Sequence, residues 1–177
     1  MLQSSARLLT NRKAELSSGD KTVIKVTIPG RGELSLTTLV LDLNGTITVD
    51  GVHIDNVAER LIHLKDLDIW CVTADTLGTA EKLSSMLGIG IHQLDSGHEQ
   101  EQKQAFIEKI GAENCIAIGN GANDVLMLQT AAIGICVIGK EGAASAAVNS
   151  ADIVVTDINN ALDLLLKTQR LIATLRS

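Results

Sequence analysis

A doubly wound, mostly parallel α/β sheet is the fold this sequence predicts, on three observations. Thr38-Leu39-Val40-Leu41-Asp42 is an unbroken apolar run ending in a carboxylate, the pattern of a strand buried on both faces. Beyond Asp68, short β-branched runs alternate with helical stretches over short links, which implies right-handed βαβ units. Asn44-Gly45 turns the chain directly after the first of these strands, at the sheet end where open α/β folds place their ligands.

Taken in order, residues 1–20 are polar and weakly patterned and read as a tail, with 21–177 as one domain. Lys21 to Ile28 and Glu33 to Leu36 flank the turn Pro29-Gly30-Arg31-Gly32, giving an N-terminal hairpin. Past the central strand, Thr46 to Val49 and Val52 to Ile54 flank Asp50-Gly51, a pair suited to a tight type I′ turn. A second hairpin, a flap, is therefore expected over the strand end. Asp55 or Asn56 is placed to cap a helix reaching Lys65.

The regular alternation follows. Strands are expected at Asp68–Ala74, Ile89–Leu94, Cys115–Ile118, Ile133–Ile138 and Ile153–Val155. Helices are expected at Leu77–Leu87, Glu99–Ile110, Asn123–Ala131, Glu141–Val148 and Asn159–Leu166, followed by a helical C-terminal stretch.

Composition excludes several classes of function. The formal charge of −6, with Trp70 and Phe106 as the only aromatic residues, leaves neither a basic stripe nor stacking platforms for nucleic acid. No apolar run nears the roughly 20 residues that span a bilayer, and no signal peptide is read. Cys71, Cys115 and Cys136 sit in apolar strand-like runs, as small core residues of a reducing, cytoplasmic setting do.

Strand and helix ends then converge on one crevice. Asp42 supplies a carboxylate, Thr73 a hydroxyl, Lys103 an ammonium, and the loop Gly119-Asn120-Gly121-Ala122-Asn123-Asp124 further oxygens. Together these suit phosphoryl transfer. A carboxylate attacks phosphorus, a hard cation takes oxygen ligands, and hydroxyl and ammonium groups hold the shifting charge.

Asp-Leu-Asn-Gly-Thr, Thr-Ala-Asp, the lysine and Gly-Asn-Gly-Ala-Asn-Asp, in this order, resemble the motifs of the haloacid dehalogenase superfamily of phosphohydrolases. The stretch Gly119 to Val155 is similar to the phosphorylation domain of P-type ATPases, and the layout resembles the small soluble proteins related to them. The resemblance implies a nucleophile and Mg²⁺ ligand at Asp42, and an acid/base position at Asn44 whose backbone carbonyl also binds metal. It implies phosphate binding by Thr73, Ala74 and Lys103, and further metal-site positions at Asn120 and Asp124. The substrate it implies is a small phosphorylated molecule.

Two departures stand out. Phosphatases of the superfamily usually carry Asp where this chain has Asn44, and many carry Asp where it has Asn120. An amide ligates a cation through oxygen but shuttles no proton. Positioned acid/base catalysis contributes about 10²–10⁴-fold, so a slow or specialised enzyme is expected, with a weakened phosphate-binding or regulatory module as the alternative. A receiver domain ranks last, because its phosphorylated Asp follows the third strand. Asp75 is read as lying beside the metal or capping a helix. His98 is read as a capping or surface residue, His53 and His63 as structural, and Lys109 as solvated.

Neither the interval from Asp42 to Thr73 nor that from Thr73 to Lys103 has room for a cap domain. A capless site stays open to water unless the flap or another subunit covers it. Capless members of the superfamily tetramerise around such a flap, so a homo-oligomer is expected.

Overall fold

Residues 23–74 and 79–177 are described by the structure, a computed structural model. The expected tail at residues 1–20 and Asp75 lie outside the described residues. Strands β1 (Ile24–Ile28) and β2 (Gly32–Leu36) pair antiparallel, as the turn at Pro29–Gly32 predicts. Strand β3 (Thr38–Asp42) follows, with all five residues buried.

Short strands β4 (Thr48–Val49) and β5 (Val52–His53) form the flap. Asp50 and Gly51 take φ of 50° and 74°, the two positive values a type I′ turn needs. The first flap strand starts later than predicted. The amides of Ile47 and Thr48 both donate to the Leu43 carbonyl, at 3.0 and 3.1 Å, so the chain coils tightly before it extends.

Helix α1 (Val57–His63) starts without the expected side-chain cap, since Asn56 is left-handed at φ 64° and makes no capping bond. Then come β6 (Asp68–Thr73), α2 (Thr79–Leu87), β7 (Gly90–Gln93), α3 (Glu99–Ile110) and β8 (Cys115–Gly119). The chain continues through α4 (Val125–Thr130), β9 (Ile133–Val137), α5 (Ser145–Ser150), β10 (Ile153–Val155), α6 (Ile158–Leu166) and α7 (Thr168–Leu175). Helix α5 departs from the predicted Glu141–Val148. Gly142 turns the chain at φ 80° and its amide donates to the Gly139 carbonyl at 2.9 Å, which keeps Glu141 in a loop.

The six-stranded sheet runs β10-β9-β8-β3-β6-β7 with every pairing parallel, so β3 is central. Successive residues of β3 serve opposite faces. Leu39 and Leu41 join a core with Ile116, Ile118 and the helices α1, α6 and α7. Val40 joins Phe106, Ile107, Met127 and Leu128 on the other side. Burying each such side chain is worth about 1.5–3 kcal/mol. Both sheet faces are therefore spent on packing, and only the strand ends remain for chemistry. All three cysteines are buried.

Candidate active site

The sheet brings its carboxyl ends together around Asp42. Lys103 lies on the inward face of α3 with Phe106 and Ile107, and is 1% exposed. Its Nζ donates to Asp42 Oδ1 and to Asp124 Oδ1, both at 2.6 Å. An ammonium buried this deeply is tolerable only when paired on this scale. The second oxygen of Asp124 accepts from the backbone amides of Asn120 at 2.9 Å and Gly121 at 2.8 Å. Asp124 therefore orders its own loop as well as holding the lysine.

The helix carrying Lys103 is tied to the loop carrying Asp124. Gln100 Nε2 donates to the Ala122 carbonyl at 2.9 Å, and Asn123 Nδ2 to Glu99 Oε2 at 2.8 Å. Gln102 braces the loop ahead of the helix through Asp95 and Gly97. His98, by contrast, is left-handed at φ 53° and caps nothing with its side chain.

Burial raises the Asp42 carboxyl, and the nearby Asp124 charge raises it further; Lys103 opposes both, and the result is about 7. Burial alone would lower Lys103, but its two carboxylate partners outweigh that and hold it above its ordinary value.

The remaining expected residues fall around this cluster. Val72 is the register partner of Asp42, so Thr73 lies one residue beyond it on the neighbouring strand, buried, with Ala74 next. Asn44 is exposed at the base of the flap, and its Oδ1 lies 3.5 Å from the Thr48 hydroxyl. Asn120 is half-buried, and its Nδ2 donates to the Gly142 carbonyl at 3.2 Å.

Thr46 was missed by sequence reasoning. Its fully buried hydroxyl lies 3.3 Å from Asp42 Oδ2 and 3.1 Å from Asn120 Oδ1. Gly45 makes that geometry available. It has φ 76°, and a side chain there would collide with Asn120 Nδ2 and come within 3.0 Å of Glu141 Oε2. Glu141 was missed as well. Its Oε1 accepts the Asp50 amide at 2.8 Å and straps the flap turn to the loop after β9. Thr46 closes the Asp-Leu-Asn-Gly-Thr motif, which could have singled it out, whereas Glu141 carries no sequence signal because it acts through a contact between distant loops.

The donor chemistry fits a hard divalent cation. Asp42 Oδ2, the Asn44 carbonyl and Asn120 Oδ1 are all oxygens. The Thr46 hydroxyl has one proton for two acceptors, so either Asp42 or Asn120 always keeps an oxygen uncommitted to it. Asp124 has its oxygens engaged by Lys103 and backbone amides.

Comparison with known proteins follows the same lines. The family description "haloacid dehalogenase-like hydrolase" matches residues 102–163, the stretch that holds Lys103, Asn120 and Asp124. The uncharacterized protein MJ0073 of Methanocaldococcus jannaschii is 55% identical over 84 residues, covering 45% of this chain and 90% of that protein. The 3-deoxy-D-manno-octulosonate 8-phosphate phosphatase of Moraxella catarrhalis, solved with magnesium, phosphate and its sugar acid, superposes with a TM-score of 0.59. It is 17% identical, over 80% of this chain and 94% of that one. The catalytic domain of the CPx-ATPase CopB-B gives a TM-score of 0.55 at 27% identity, over 64% of this chain and 46% of that one. Among the described residues no helix is long and apolar enough to cross a membrane.

Proposed function

We propose, because the chain belongs to the haloacid dehalogenase-like hydrolases, that it hydrolyses small phosphomonoesters through a phosphoaspartate on Asp42. The observation that carries this reading is Lys103 held between Asp42 and Asp124 at 2.6 Å from each. Lys103 orients the attacking carboxylate and neutralises charge as a phosphoryl group arrives, the electrostatic part of catalysis. Thr73, one residue past Val72, the register partner of Asp42, and the Ala74 backbone after it would hold the equatorial oxygens.

An Asp42 oxygen attacks phosphorus as the bond to the leaving oxygen breaks; water then cleaves the acyl phosphate, and inorganic phosphate departs. The leaving alkoxide takes its proton from water, because the Asn44 amide is too weak an acid to give one. Turnover is therefore slower by some part of the ~10²–10⁴-fold that acid/base catalysis contributes. Asp42, the Asn44 carbonyl and Asn120 would hold a Mg²⁺ ion, which would screen the charge between the two approaching anions. The flap, with Val52 at 69% exposure, is the surface a second copy would cover in a homo-oligomer. Three buried cysteines suit a cytoplasmic setting.

The Asn44 side chain favours a second reading, a phosphate-sensing module that keeps the acyl phosphate. Beryllofluoride binding with Mg²⁺, together with turnover of a monoester panel, tests both. Binding with turnover supports the hydrolase, and binding without turnover supports the sensor. Absence of both removes Asp42 as the reacting group.

A further inference from the structure

A cavity of about 590 Å³ lies under the flap at the carboxyl ends of β9 and β10, within the range of small-molecule sites. One wall is the flap, from Val49 through Asn56; the other includes Lys140, Thr156 and Asn159. Only β8 separates β9 from β3, so the cavity lies roughly 10 Å across the sheet from Asp42. The flap connects the two places. Thr48 accepts the Gly45 amide at 2.9 Å and points its hydroxyl at the Leu43 carbonyl, and the very next residue lines the cavity. The flap thus runs from the Asn44 side of the Asp42 cluster to the wall of this cavity.

The lining selects what the cavity accepts. The carboxylates of Asp50, Asp55 and Asp157 offer acceptors along the lining, so the wall favours donors. Asp50, Asp55 and Asp157 outnumber the single ammonium of Lys140, which disfavours a second phosphate or a carboxylate. No Phe, Trp or Tyr lines the cavity to stack a nucleobase.

We infer that this cavity receives the leaving group of the substrate, and that the substrate is the monophosphate of a hydroxyl- or amino-bearing, non-anionic compound rather than a nucleotide or a bisphosphate. This rests on the phosphohydrolase reading above.

The test compares wild type with Thr156→Phe and His53→Trp, which fill the space from opposite walls at exposed positions. Glycerol 3-phosphate and hexose 6-phosphates are the extended probes, AMP and fructose 1,6-bisphosphate the disfavoured ones, and acetyl phosphate the probe that leaves the cavity empty. Wild type is expected to prefer the polyol monophosphates to AMP and the bisphosphate by at least ~10-fold in kcat/KM. Both variants should raise KM for the polyol phosphates by ~10-fold, with acetyl phosphate turnover and beryllofluoride binding unchanged.

Unchanged polyol KM in both variants would overturn the inference and leave the hydrolase reading standing. So would a wild-type preference for AMP, or an equal loss on acetyl phosphate. A wild type that neither binds beryllofluoride nor hydrolyses acetyl phosphate would remove both.

Discussion

Lys103 Nζ and Asp124 Oδ1 lie 2.6 Å apart where the lysine is 1% exposed and the aspartate 0%. Each supplies the other's counter-charge at that depth. Lys103→Met should therefore destabilise the protein by about 3–5 kcal/mol, because two buried carboxylates lose their counter-charge. The loss should be larger near pH 8 than near pH 5, since Asp42, pushed up to about 7, takes a proton at the lower pH. Chemical denaturation at the two pH values measures this, and equal losses would separate Asp42 from the lysine.

Asp42→Asn makes a prediction of opposite sign. Between the ordinary carboxylate value and about 7 the folded chain holds a proton on Asp42 that the unfolded chain has released. Wild-type stability attributable to this group therefore falls as pH rises through that window. The amide variant lacks that slope. It should match or exceed wild type above about pH 7, with the advantage shrinking toward pH 4, while losing beryllofluoride binding and all turnover. Thermal melts across the range, paired with activity, check both halves.

Asn44→Asp should raise turnover of alkyl monoesters by at least ~10-fold, toward the range of positioned acid/base catalysis. Aryl phosphates should gain less at the phosphorylation step, because their leaving groups need little protonation. Unchanged rates on every ester would favour the sensor reading.

Asn120→Asp should tighten Mg²⁺ binding, because a carboxylate adds Coulomb attraction to Asp42. The same change removes the 3.2 Å bond from Nδ2 to the Gly142 carbonyl and should lower metal-free stability by about 1–2 kcal/mol. Calorimetric titration and denaturation read the two effects separately. Equal affinity in both proteins would place residue 120 away from the cation.

Much of this architecture could be read from the chain because it rests on local patterns. Thr38–Asp42 is apolar on both faces, so its central place followed from the run itself. Glu99 and Gly111 bracket α3 in the sequence as they do in the fold. The failures fall where a distant contact outweighs local preference. Glu141 looks like a helix residue until Gly142 turns the chain and the Asp50 amide claims its carboxylate. Asn56 looks like a cap until the flap delivers it in a left-handed conformation. Among the candidate site residues, Lys103 and Asp124 follow from motif and position. Thr46 stands in the same motif as Asp42, but its bond to Asn120 does not follow from it, because that partner is brought close only by folding.

The same turns bear on how the protein ages. Asn-Gly pairs are the sequences most prone to spontaneous deamidation, in which the glycine nitrogen attacks the preceding side-chain amide. Two such pairs, Asn44-Gly45 and Asn120-Gly121, occupy the very positions where aspartate would change the chemistry. In the fold both glycine nitrogens are engaged. The Gly45 amide donates to the Thr48 carbonyl at 2.9 Å, and the Gly121 amide to Asp124 Oδ2 at 2.8 Å. Cyclisation requires each to leave its partner first, so the native turns keep these asparagines as asparagines. Chemical conversion to the acidic forms is thereby confined to molecules whose flap or β8 loop has come undone.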